Sequence, residues 1–227
     1  LGATGLDYEW AVNNCRVEGC LFTDIGGTAL ALGAFPAGGF ETHVPYMPED
    51  EREYCSDIRI ANNLITEVTN EDWGYVRNMT IEHNEVSYVN YSGICVGWGW
   101  TPLDSGMKNN RIHANYVHHF ALQLYDAGGL YTLSNQPSSE MTANRIEQLG
   151  NAPYATNDRA FYIYFDEATD GYRVKDNWCP EPLFDANRPG PANVWINNGP
   201  TVSDSIKSAA GLQPEYNYLK DSIHETN

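Results

Sequence analysis

Basic residues are scarce in this chain: 13 Lys and Arg stand against 30 Asp and Glu over 227 residues, a net charge of −17 with His neutral. Nucleic acids and anionic membrane surfaces need Lys and Arg to neutralise phosphate, so neither is an expected partner. The sequence also lacks any apolar run of the roughly 20 residues needed to cross a bilayer as a helix. No basic, apolar leader opens the chain, which begins at Leu1 rather than Met. N-terminal coils and any export signal are therefore expected upstream, and 1–227 is expected to form one domain, the C-terminal part of a longer protein. The five cysteines, Cys15, Cys20, Cys55, Cys95 and Cys179, lack the paired spacing of a zinc site, and an odd number cannot all pair internally. They read as small core or stacking residues. His118 and His119 have neither helical partner spacing nor Cys companions, so no metal is expected there. Glu49-Asp50-Glu51 reads as a solvated acidic face rather than a calcium loop, and no cofactor is expected.

What the chain does have is a recurring phrase, Ile-x-x-Asn-x-Val. It appears at Ile60, Asn63 and Ile65, at Ile81, Asn84 and Val86, at Ile112, Asn115 and Val117, and at Met141, Asn144 and Ile146. Weaker copies are Val174, Asn177 and Cys179, and Val17, Cys20 and Phe22, where Cys replaces Asn. A period of about 20 to 50 residues marks a stacked repeat architecture. Within each copy the apolar residues alternate, as in Ile58, Ile60 and Ile65, which is the period of a strand with one inward face. Asn suits the bend between two strands because it bonds its own backbone and tolerates left-handed φ, and stacked asparagines can form a ladder. Leucine-type helical repeats would place apolar residues three and four apart. The expected fold is therefore all-β, a right-handed parallel β-helix of about six coils with loop insertions.

Two stretches of this pattern end in acidic residues. Phe120-Ala121-Leu122-Gln123-Leu124-Tyr125-Asp126 breaks at Gly128-Gly129, and Phe161-Tyr162-Ile163-Tyr164-Phe165-Asp166-Glu167 alternates so that Asp166 faces outward. If the polar insert 150–158 is a loop, Asp126 and Asp166 fall at matching places on adjacent coils. Adjacent strands lie about 4.8 Å apart, which would bring the two carboxyl groups to roughly the 5 Å of retaining glycosidases. Like charges that close push one pKa up, giving one protonated acid and one ionised partner. Strict alternation from Leu122 and Leu124 turns Asp126 inward, so a bulge at the Gly-Gly break is required. Glu167 is a further candidate beyond the strand's end. Turn capping is the competing role for all these acids. Trp98, Trp100, Tyr125, Tyr131, Tyr162 and Tyr164 offer flat faces for sugar rings or stack along the repeat. His83 and His113, inside repeat phrases, are expected to face solvent.

The segments Gly93-Ile94-Cys95-Val96-Gly97-Trp98-Gly99-Trp100, Tyr125-Asp126-Ala127-Gly128-Gly129-Leu130-Tyr131-Thr132-Leu133-Ser134-Asn135-Gln136-Pro137 and Tyr164-Phe165-Asp166-Glu167 together resemble glycoside hydrolase family 141 and its bacterial β-helix relatives. The resemblance runs from about Cys55 onward, and the stretch from Ala209 to Tyr216 looks like the family's usual close. Departures are Ala127 for the usual Gly, Phe165 for Leu, and Ser138-Ser139 for a Gly-Thr turn. The resemblance implies α-L-fucosidase or xylanase-like hydrolysis of plant cell-wall or other complex polysaccharide, in an extracellular or periplasmic setting. It carries the catalytic aspartates onto Asp126 and Asp166. Glu167 is a further catalytic candidate, and Trp98, Trp100, Tyr125, Tyr131, Gln136, Tyr164 and His118 are the candidates for substrate binding. A polysaccharide lyase on the same fold would need a cationic base or calcium beside a uronic carboxylate, where this chain has few lysines. A non-catalytic carbohydrate-binding solenoid is the third reading.

Overall fold

A computed structural model describes residues 3–33, 50–73, 76–153 and 160–224. Glu49, most of the Gly- and Pro-rich segment from Gly33 to Asp57, and residues 154–159 of the polar insert lie outside them. Among the described residues the strands are two to eight residues long and pair in parallel. They form five sheets, of seven, five, four, three and two strands. This corrects the expectation of one solenoid of about six coils. The strands belong to several parallel sheets of unequal size, and no single coil count describes them. The repeated phrase accounts only for the two largest sheets. The segments between phrases differ in length, so they pair at fewer levels.

Register follows the phrase closely. Val17, Ile60, Ile81, Ile112, Met141 and Val174 are successive in-register partners in the seven-stranded sheet. Phe22, Ile65, Val86, Val117 and Ile146 are the equivalent row in the five-stranded sheet. In-register parallel neighbours share a face, so both rows point into one continuous apolar core. On the outer face of the seven-stranded sheet, Arg59 pairs with Glu18 and Glu82, and Arg111 pairs with Glu82 and Glu140.

The asparagines between the two sheets are fully paired internally. Each amide nitrogen of Asn63, Asn84, Asn115, Asn144 and Asn177 donates to the side-chain oxygen of the next asparagine, at 2.8–3.0 Å, and the series ends at Asn198. The same amides also donate to Val17, Ile60, Ile81, Ile112 and Met141 carbonyls. Cys20 takes the first place, its backbone N–H donating to Asn63 at 3.0 Å. The left-handed residue of each bend is the one before the asparagine: Asn62, His83, Ala114, Ala143, Asp176 and Asn197 all have φ between 50° and 58°. Each costs about 1–2 kcal/mol for a non-glycine residue, and the ladder offsets that by satisfying buried backbone groups at the same corner.

The chain then turns back along these bends. Lys207 of the helix Asp204–Ala209 sits over the Trp178 ring, and in the segment between this helix and Tyr218–His224 the Gly211 N–H donates to Ala114 O and Gln213 exchanges amide bonds with Asn62. Gly211 has φ 94°, and a Cβ there would lie 3.0 Å from Tyr116 Cβ. His83, expected in solvent, instead reaches the Gly211 carbonyl at 3.2 Å. His113 is half-buried, and burial with nearby Arg111 and His83 lowers its pKa. Cys55, Cys95 and Cys179 are buried and form no disulfide, and burial pushes the Cys179 thiol up to about 12.

Candidate active site

The four-stranded sheet joins Ile94–Val96, Ala127–Thr132, Ala160–Phe165 and Phe184–Ala186, in that order. Its register aligns Ile94, Leu130, Ile163 and Phe184 in one row and Cys95, Tyr131, Tyr164 and Asp185 in the next. The first row packs into the main core. The second forms a separate cluster on the outer face, where buried Cys95, Tyr131, Leu133 and Tyr164 are packed by Trp98, Trp100 and Phe161.

Local irregularities set this face. Alternation holds from Ile163 to Asp166 but not before it: Tyr162 joins the main core, edge-on to Phe120 at 6.2 Å, while Phe161 lies 5.1 Å from Tyr164 in the outer cluster. Gly129, between the paired Gly128 and Leu130, leaves room for this, since a Cβ there would lie 2.3 Å from Ile146 and 2.9 Å from the Tyr162 carbonyl. The bend expected at Gly128-Gly129 falls earlier. Both glycines lie within the strand Ala127–Thr132, and Asp126, just before it, takes the left-handed turn at φ 61°.

Two tyrosines hold the two aspartates. Tyr131 Oη donates to Asp166 Oδ2 at 2.7 Å, and Tyr164 Oη donates to Asp126 Oδ1 at 3.1 Å. The tyrosine rings lie 5.0 Å apart. Asn187 Nδ2 donates to the other Asp166 oxygen at 2.7 Å, and Tyr91 Oη donates to the Asp126 carbonyl at 2.9 Å. Burial, joined by Tyr91 and Asp166, pushes the Tyr131 hydroxyl well above its ordinary range. Burial, joined by Asp166 and Asp126, does the same to Tyr164. Both phenols therefore stay protonated as donors through the physiological range.

The aspartates do not occupy matching places on adjacent strands. Asp126 precedes Ala127, at the start of its strand. Asp166 follows Phe165, whose partner is Thr132 at that strand's far end. Pairing runs from Ala127↔Ala160 to Thr132↔Phe165, so setting the insert aside does not bring the two aspartates level. The two acids thus flank the tyrosine pair from opposite ends of the sheet.

The other candidate residues divide. Trp98 and Trp100 are partly exposed with ring centroids 4.7 Å apart, and Tyr125 is 46% exposed, so these three present aromatic surface to solvent. Tyr131 and Tyr164 are only 3% and 2% exposed. They support the acids rather than offering open faces. Gln136 is not on this face. It is fully buried, its amide nitrogen donating to Val96, Leu133 and Thr132 and its oxygen accepting from Asn110 and Tyr172. That amide closes the turn at Gly97, where φ is 89° and a Cβ would collide with it. His118 belongs to a different sheet, stacked on Tyr116 at 4.3 Å and facing Glu85 at 3.6 Å. Glu167 turns away from Asp166 and pairs with Arg188 at 3.1 Å. A cavity of about 210 Å³ lined by Trp10 and Glu53 includes none of these residues. Asn187 and Asp185 escaped the sequence reading, although Asn187 follows Asp166 by 21 residues, the interval separating Asn177 from Asn198.

No protein-family model matches the chain, and no curated protein does. A solved structure described as a glycoside hydrolase superposes with a TM-score of 0.91 at 47% identity, covering 95% of this chain. The chain spans 37% of that protein's length.

Proposed function

We propose that this chain carries the hydrolytic face of a glycoside hydrolase, with Asp126 and Asp166 as catalytic carboxylates. The observation that carries the reading is the crossed pair of tyrosine–aspartate hydrogen bonds on an aromatic outer face. The 47% identity to a glycoside hydrolase supports it. Glycoside hydrolysis uses two carboxyl groups, one protonating the leaving oxygen and one activating water or attacking the anomeric carbon. Asp166 accepts a hydrogen bond on each oxygen, from the Tyr131 hydroxyl and the Asn187 amide, which fixes the orientation of its carboxyl group.

Trp98, Trp100 and Tyr125 are the sugar platforms in this reading, since apolar sugar faces pack on aromatic rings while hydroxyls find polar partners. The substrate is a plant cell-wall or other complex polysaccharide, attacked in α-L-fucosidase or xylanase-like fashion, outside the cytoplasm. The net charge of −17 suits a neutral glycan better than a polyanion. Incubation with fucosylated pectin and with xylan, following reducing ends and the ultraviolet absorbance of unsaturated ends together, tests the reading. New reducing ends without unsaturation are expected. Unsaturated ends would establish elimination and refute it.

A further inference from the structure

Asp185 sits on the edge strand of the same sheet, and its assignment rests on the hydrolase reading above. Its neighbour Phe184 packs inward, 5.5 Å from the Trp195 ring, so alternation turns Asp185 outward. Pairing sets it directly beside Tyr164. Two positions on, Asn187 faces the same way and holds Asp166. Asp185 and Asp166 are therefore diagonal neighbours on adjacent strands, with backbones about 7–8 Å apart.

The two carboxylates differ in what surrounds them. Asp166 is 6% exposed and each of its oxygens accepts a hydrogen bond from the protein. Asp185 is half-buried, and its carboxylate makes no hydrogen bond or ion pair among the described residues. A carboxylate offers about four acceptor positions and no donor, so this group is left to donors arriving from outside. Sugar hydroxyls are such donors, and two adjacent hydroxyls match the two oxygens of one carboxylate. A uronic acid brings a like charge to a place where Asp126, Asp166 and Asp185 already surround Tyr164. Like charges brought together in this way are disfavoured.

We propose that Asp185 is a specificity-determining residue of this face, accepting hydrogen bonds from the hydroxyls of a neutral sugar and excluding uronic acids. Asp185→Asn keeps the shape, removes the charge and replaces one acceptor with a donor. The test measures kcat and KM of the full chain and this variant on aryl α-L-fucoside, aryl β-D-xyloside and aryl β-D-glucuronide, with thermal unfolding as the check on folding. For the neutral glycoside the chain cleaves, KM should rise roughly tenfold or more, as expected for loss of a hydrogen bond to a charged group, with kcat within about twofold. The preference for neutral glycoside over glucuronide should narrow by a similar factor. Asp185→Ser, which retains a hydroxyl acceptor, should fall between. Unchanged KM, or a fall confined to kcat, overturns the proposal. A wild-type chain that cleaves none of the glycosides sinks the hydrolase reading instead. Asp185 is then judged by NMR titration of L-fucose, D-xylose and D-glucuronate into both proteins, where identical affinities overturn it.

Discussion

The outer faces of the seven-stranded and four-stranded sheets use acidic residues in opposite ways. On the larger sheet, Glu18, Glu82 and Glu140 interleave with Arg59 and Arg111, and each arginine bridges two glutamates. On the smaller sheet, Asp166 is held by a hydroxyl and an amide, both neutral, and Asp185 by no protein group among the described residues. An acid paired with arginine has its charge answered by the fold. An acid held by neutral donors has no opposite charge beside it. The same backbone arrangement, parallel strands in register, thus builds an ion-paired ladder on one side and the face proposed for hydrolysis on another. The choice is made by the residues one position either side of the core row.

The largest expected effect lies on the aspartate face. Asp126→Asn should lower turnover roughly 10²- to 10⁴-fold, the range for losing a positioned acid or base, while the melting temperature stays near wild type. Assay of purified variant on the glycan cleaved by the wild type checks this, and turnover near wild type would remove Asp126 from the chemistry. Next comes the corner that supports both sheets. Asn144→Ala leaves the Asn115 amide, the Asn115 backbone N–H and the Ile112 carbonyl without their partner. Buried groups stranded in this way cost about 1–3 kcal/mol each before relaxation, so a loss of several kcal/mol is expected in denaturant unfolding. A loss under about 1 kcal/mol would show that the ladder is incidental to stability.

Tyr131→Phe separates support from chemistry. It should lower kcat by roughly tenfold, in line with one hydrogen bond to a charged group, and leave KM nearly unchanged. A rise in KM alone would make Tyr131 a substrate contact. The smallest effect belongs to the charged ladder. Burial acts to raise the Glu82 pKa, but Arg59 and Arg111 outweigh it and hold the carboxyl below its usual range. A depressed folded pKa contributes stability above the unfolded value near 4.5 and loses it as pH falls through the lower folded value. Glu82→Gln should therefore cost under about 1 kcal/mol at neutral pH, because the two arginines are more than a third exposed. The difference from wild type should shrink as pH drops below about 4.5.

Much of this was legible in the sequence, for identifiable reasons. The apolar rows from Val17 to Val174 and the asparagine ladder follow from a repeated phrase, because period-2 alternation and a bend residue are local signals. Asn198 escaped because Trp195 and Pro200 replace the apolar residues that frame the other copies. The left-handed residue of each bend was placed one position too late, since Ala114, Ala143 and His83 carry no intrinsic signal for that conformation. Unequal sheets were invisible because nothing local states which levels an insertion skips. At the site, Tyr131 and Tyr164 were found, but their burial and their crossed bonds to the aspartates depend on tertiary register. Gln136 was misplaced because a motif position says nothing about depth. Asp185 and Asn187 went unnoticed on a three-residue strand too short to show alternation.

The most direct test sets one residue from each face side by side. Asp166→Asn and Glu140→Gln each remove one negative charge from the outer surface of a parallel sheet, and both should fold with melting temperatures close to wild type. On a glycan cleaved by the wild type, the account predicts that Glu140→Gln retains full turnover and Asp166→Asn loses it. Full turnover in folded Asp166→Asn would contradict the assignment of the four-stranded face as the hydrolytic site.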